Sequence, residues 1–174
     1  MSAINYGKNS VDLRLGSYFL IHKPSKYTHI SPYPGTTISM NSFYEEVYVA
    51  PGSEFILHPH QFVLATTLEY ITLPYDFYAL LLGRSSWGRL GLNIATATTV
   101  QAGYRGCITL ELRNLGETPL QLKVGVRIAQ LCLIKLPIEN PDEGYFAARD
   151  NKYIGPIKAE PPKIKKDIDW ELLS

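Results

Sequence analysis

Hydrophobic and polar positions alternate sharply near the start of the chain. In SVDLRLGSYFLI, residues 10–21, Val11, Leu13 and Leu15 share one face while Asp12 and Arg14 share the other. A side-chain period of two predicts a strand with one buried face. The same alternation, or a short apolar run, returns in FVLATTLEYITL (62–73), FYALLLG (77–83), CITLELRN (107–114), LQLKVG (120–125) and RIAQLCLIKL (127–136). Pro, Gly, Asn or acidic residues separate these runs, so the chain reads as short strands joined by turns, an all-β compact antiparallel barrel or sandwich.

Three stretches depart from that pattern. HKPSKYTHISPYPG, residues 22–35, sets three prolines among small polar groups and predicts a long surface loop, with the core resuming at Val47. RSSWGRLGL, residues 84–92, predicts a short helix of at most two turns, with Ser85 or Ser86 as its cap and Gly88 or Gly91 as its end. Beyond Leu136 charge and proline dominate, which divides the chain into a β domain over 1–157 and a tail over 158–174. The tail is expected to be mobile or docked on a neighbouring subunit. Its large apolar groups Trp170, Leu172 and Leu173 favour docking, since a solvated arm has no need of them.

Composition narrows the classes. The 174 residues, 45% hydrophobic with 17 Lys+Arg against 16 Asp+Glu, suit one globular domain, and 12 Pro and 12 Tyr against 2 Met argue against a helical bundle. The formal charge of +1 supplies no broad field for a nucleic-acid backbone, and no apolar run is long enough to span a membrane. Cys107 and Cys132 stand far apart without CxxC spacing, and no apolar leader precedes Ser10, so a reducing cytoplasmic setting is expected.

Two places concentrate chemistry. In residues 107–114 alternation sets Thr109, Glu111 and Arg113 opposite Ile108, Leu110 and Leu112. Glu111 then either lines a pocket or pairs with a cation across strands or subunits. Arg84, Ser85, Ser86 and Arg89 crowd two guanidiniums and two hydroxyls behind a buried strand, which suits phosphate or another oxygen-rich ligand, or else a capped turn with ion-paired arginines. His22, His29, His58 and His60 form no HExxH, and the cysteines lack zinc-deaminase spacing, so no protein-held metal is expected. Neither a G-x-S-x-G elbow nor the GKS/T of a P-loop is present.

Five ordered strings, SVDLRLG (10–16), LEYITLP (68–74), GRSSWGRLGL (83–92), QAGYRGCITLELRN (101–114) and GVRIAQL (125–131), resemble the dCTP deaminase and dUTPase superfamily, most closely its dCTP deaminase branch. The resemblance implies a distorted barrel of the dUTPase-like β-clip type and a cytoplasmic homotrimer with shared active sites. Its ligands would be dCTP, dUTP or dTTP, with Mg2+ bound through the triphosphate. It implies Glu111 as general acid/base, Ser85 and Arg84 as base-site and triphosphate contacts, and Arg89 as the group that orients Ser85 and Glu111. It implies an Ala97 carbonyl that positions water, and Ser86, Gln101, Tyr104, Gln130, Lys152 and Tyr153 as substrate-binding groups. The implied reaction is hydrolytic deamination of dCTP to dUTP and ammonia. The alternatives are dUTP pyrophosphate hydrolysis, alone or in a bifunctional enzyme, and a nucleotide-binding regulator without turnover.

The chain departs from the family pattern at three places. Gln101 stands where an aspartate is common, IGPIK replaces the glutamine after the KY pair, and the short segment before Ser10 predicts a minimal trimer edge.

Overall fold

The structure, a computed structural model, describes residues 10–31, 33, 38–94, 99–137, 153 and 155–164. Among these, ten strands and one helical turn follow in order: β1 (Ser10–His22), β2 (Tyr44–Tyr48), β3 (Glu54–Leu57), β4 (Phe62–Thr72), β5 (Phe77–Gly83), α1 (Ser85–Gly88), β6 (Leu92–Ile94), β7 (Thr99–Val100), β8 (Arg105–Asn114), β9 (Leu120–Lys123) and β10 (Arg127–Lys135). A 3-10 turn at Met40–Phe43 leads into β2. The fold is all-β, as the alternation predicts.

The strands form one antiparallel sheet in the order β6-β8-β4-β1-β10-β5-β7, with β2 added to β1, and a separate β3-β9 ribbon. The sheet curls into a distorted barrel, because β6 at one edge comes back to β5 near the other, where Gly83 faces Ile94. β1 makes this curl possible. Its first half pairs with β10 and its second half with β2 and β4, and register shifts between Leu13 and Arg14 and between Leu15 and Phe19 bend the strand from one partner set to the other. Gly16 sits at the second bend because a Cβ there would stand 2.7 Å from Thr66 Oγ1 and 2.9 Å from the Thr67 carbonyl.

The inward faces meet in one main core. Leu13, Leu15, Phe19, Val63, Leu110, Leu112 and Ile128 are all 0% exposed, and Phe19 stacks on Phe55 with ring centroids 4.4 Å apart. Burying each such side chain stabilises by roughly 1.5–3 kcal/mol. On the same strands Asp12 and Arg14 stay outside that core, where Glu69 of β4 accepts hydrogen bonds from Arg14 Nε (2.6 Å) and the Arg14 backbone N–H (2.8 Å).

Residues 84–92 hold a single helical turn, within the two turns expected, but the structure corrects its cap: Arg84 rather than a serine occupies the cap position, and it makes no side-chain capping bond. Ser85 already has its backbone carbonyl in the turn, accepting from the Arg89 N–H at 3.0 Å. Gly91, at φ 93, ends the segment, and Leu92 already begins β6. The strands β6 and β7 were not expected, since runs of three and two residues are set by their partners β8 and β5 rather than by an alternating pattern of their own.

Candidate active site

The polar face of β8 opens onto a cavity of about 510 Å3. Glu111 and Thr109 lie on its strand wall, as alternation on β8 requires once Ile108, Leu110 and Leu112 are buried. Gln101 and Tyr104, from the turn between β7 and β8, form a second wall. The Tyr104 hydroxyl donates to the Cys107 carbonyl at 2.9 Å, which fixes the ring at the cavity edge. Phe62 and Leu64 of β4 supply an apolar floor with Tyr44, a mixture suited to a planar base with a few polar edges.

The rest of the enclosure comes from the distal chain. Residues 155–164 cross the barrel as a strap, placing Pro156, Glu160 and Pro162 on the cavity together with Tyr153. Two backbone bonds attach its start to the free side of β8, from the Cys107 N–H to the Pro156 carbonyl (2.7 Å) and from the Gly155 N–H to the Arg105 carbonyl (3.2 Å). Gly106 allows this approach: its φ is 145, and a Cβ there would stand 2.5 Å from Pro156 Cδ. Farther along, Lys158 Nζ donates to Glu46 at 2.5 Å and lies 4.5 Å from the Tyr18 ring centroid, while Ala159 is buried with Leu20 and Leu64. Through Ile164, therefore, the stretch assigned to the tail packs on its own barrel. Trp170, Leu172 and Leu173 lie outside the described residues.

Burial pushes the Tyr44 phenol above its usual 10.0, and the nearby Tyr153 adds to the shift. The folded chain thus holds this proton to higher pH than the unfolded chain does. The contribution to stability is complete below about pH 10 and is lost as pH rises past it. Tyr44→Phe is expected to flatten the fall in unfolding free energy above pH 10, measured by urea titration from pH 8 to 11; an unchanged slope would exclude Tyr44 as its source. Burial, with Glu69 second, also raises the Cys107 thiol, which keeps it in its poorly nucleophilic protonated form.

Arg84 lines a different concavity, of about 340 Å3, between β5, α1 and β6. Ser85, Ser86 and Arg89 are exposed on and beside α1. Gln130 lies on β10, in register with Asp12 of β1 and Leu82 of β5. The chain therefore brings Glu111, Gln101, Tyr104 and Tyr153 together at one cavity and leaves Arg84 at another, with Ser85, Ser86 and Arg89 exposed beside it. Ala97 and Lys152 lie outside the described residues.

Sequence reasoning missed several groups at these sites. Tyr44 and Glu160 became cavity walls only through long-range contacts. The alternation of β1 sets Asp12 on the polar face but does not name its partners: its Oδ2 lies 3.0 Å from Arg127 Nη1 and 3.7 Å from Arg84 Nη1. The signal available was its place in the alternation of β1, opposite buried Leu13.

The chain is thus a curled all-β barrel with a carboxylate-bearing pocket and a separate arginine-serine turn. The profile described as dCTP deaminase-like matches residues 2–136, and the chain belongs to that family. A dCTP deaminase of Natronomonas pharaonis is 43% identical over 164 residues, covering 92% of this chain and 82% of its own length. A dCTP deaminase, dUMP-forming, of Methanosphaera stadtmanae is 38% identical over 162 residues, covering 92% and 81%. Among solved structures, the 2'-deoxycytidine 5'-triphosphate deaminase from Agrobacterium tumefaciens superposes with a TM-score of 0.56 at 26% identity, over 76% of this chain and 41% of that one.

Proposed function

We propose that this chain deaminates dCTP by hydrolysis, releasing dUTP and ammonia, with Glu111 as the group that moves the protons. The carrying observation is a carboxylate on the wall of a partly covered, largely apolar pocket in a chain 43% identical to a dCTP deaminase. In this scheme the Glu111 carboxylate takes a proton from water as the oxygen bonds to C4 of the cytosine ring. It delivers that proton to the ring nitrogen N3, then carries the second water proton from the new C4 hydroxyl to the amino group; the C4–N bond breaks, the C4 carbonyl forms, and ammonia leaves. Gln101 offers an amide to the sugar hydroxyl in place of a charged acceptor, and Tyr104 and Tyr153 close the sides of the pocket.

Arg84, Ser85, Ser86, Arg89 and Gln130 are assigned to the triphosphate and to orienting the base. Because Arg84 and Glu111 line separate cavities of one protomer, these roles join when α1 of one copy meets the β8 cavity of another, in a homotrimer with shared active sites. The exposed apolar side chains of Leu90 and Leu115 near α1 give such a contact something to bury. Ala97 and Lys152 keep their proposed roles in placing water and covering the nucleotide. Mg2+ is proposed to enter on the substrate's phosphates. Among the described residues, the carboxylate beside Arg84, Asp12, is already committed to two arginines, which poorly suits a protein-held Mg2+.

The description of the Methanosphaera relative as dUMP-forming supports a second reading, in which the same pocket also hydrolyses dUTP. Gln101 weighs against it, since an amide cannot activate water as a carboxylate does. A two-substrate product assay separates the readings. Ammonia from dCTP with dUTP accumulating is the expected result; dUMP and pyrophosphate from either nucleotide would establish the bifunctional reading, and no ammonia from dCTP with Mg2+ would overturn deamination.

A further inference from the structure

Arg127 belongs to none of the roles above, yet the fold places it beside them. Asp12 and Gln130 are directly opposed across β1 and β10, so their side chains leave the same face, outside the barrel core. Arg127 begins β10 and Arg84 follows β5, the strand on the other side of β10. The two guanidiniums converge on one carboxylate oxygen, Asp12 Oδ2, at 3.0 Å from Arg127 Nη1 and 3.7 Å from Arg84 Nη1.

A second tie comes from α1. The Trp87 indole Nε1–H donates to the Arg127 carbonyl at 3.0 Å, and the Arg84 N–H donates to the Ile128 carbonyl at 3.2 Å. The arginine-serine turn and the start of β10 are thereby locked to each other at two points. Arg127 cannot shift along its strand without disturbing the turn that carries Ser85 and Ser86.

We infer that Arg127 is a second phosphate-binding guanidinium beside Arg84, and that Asp12 is the positioning residue that holds the pair together. Two cations this close repel, and a single carboxylate between them removes that cost while leaving the cluster with a net positive charge. Each guanidinium carries five N–H donors, so one contact apiece with Asp12 leaves most of each fork for phosphate oxygens. Arg127 and Arg84 side chains remain 42% and 33% exposed, whereas Asp12 is 16% exposed, so the cations are open to a ligand while the anion sits behind them. The ligand class is a nucleoside triphosphate, recognised through its phosphate chain. This inference rests on the assignment of Arg84 to the triphosphate.

The test compares dCTP with dCMP, which share base and sugar, by calorimetric titration of the assembled protein and by inhibition of ammonia release. Arg127→Ala is expected to weaken dCTP binding about tenfold or more and to leave dCMP binding unchanged. Asp12→Asn, which keeps the shape but not the charge, is expected to raise KM for dCTP several-fold with kcat within about twofold. Arg127→Lys, which keeps charge but loses the fork, should recover only part of the loss. If Arg84→Ala lowers the dCTP to dCMP affinity ratio and Arg127→Ala does not, the inference about Arg127 fails alone. If neither changes that ratio, the triphosphate reading of the Arg84 group fails with it. Equal weakening of both nucleotides by Arg127→Ala would mark a merely structural role and would likewise overturn the inference.

Discussion

Replacing Glu111 with Gln is expected to lower ammonia release from dCTP by about a thousandfold, within the range that a positioned acid/base group contributes. The amide matches the carboxylate in size and can still hydrogen-bond the base, so dCTP affinity should stay within a few-fold, which separates loss of proton transfer from loss of the pocket. β8 is held on both sides, by β4 and by β6, and the inward neighbours of Glu111, Leu110 and Leu112, are fully buried, so the strand wall should survive the change. The measurement is steady-state ammonia release with titration of dCTP on the same preparation. A variant that keeps more than about a tenth of the activity would remove Glu111 from the proton path.

The largest effect on stability is expected at Asn114, three residues farther along the same strand. Its side chain is fully buried and serves three backbone groups. The amide donates to the Leu57 carbonyl at 3.1 Å and the Thr118 carbonyl at 2.9 Å, and its oxygen accepts from the Gly116 N–H at 2.9 Å. It therefore ties the end of β8 to the end of β3 and to the turn that leads into β9. Asn114→Ala leaves those groups without their partner and opens a small void, at a cost of about 3–5 kcal/mol. For a domain of this size that corresponds to a fall in Tm of roughly 10 °C. Denaturant unfolding against the parent checks this, and a loss below about 1 kcal/mol would show that water replaces the amide. Gly91 shares this corner: a Cβ there would stand 2.9 Å from the Gly116 nitrogen, so the turn after α1 and the turn after β8 are packed backbone to backbone. The stability of Asn114 and the placement of the arginine-serine turn are thus coupled.

How far the chain could be read without its fold differs from residue to residue. β8 was fully readable: Ile108, Leu110 and Leu112 went inward and Glu111 outward, because side-chain direction in a strand follows a local period of two. β5, β4 and β10 were readable as short apolar runs between turn residues rather than by strict alternation, since β4 buries five consecutive residues, and the five motif strings carried the family. α1 was readable as a short helical segment but not in its cap. Arg84 took that position because its backbone N–H is committed to the Ile128 carbonyl of β10, a contact 44 residues away that no capping preference reflects. β6 and β7 were invisible because two or three residues show no period, and only their partners make them strands.

The site divides along the same line. Alternation and spacing select which side chains are available to a ligand: the carboxylate of Glu111, the arginines and serines of 84–89, and the polar positions of β1 and β10. Whether those groups meet depends on the curl of the sheet, which is set by the bends in β1 and by the return of β6 to β5. That curl puts Glu111 under a strap formed by residues 155–164, separates it from Arg84 within the chain, and brings Asp12, Arg84 and Arg127 to one point. Local patterns report which way a side chain faces, since that depends on neighbours one and two residues away. Distances between strands are sums over long-range hydrogen bonds and packing, and no window along the chain contains them.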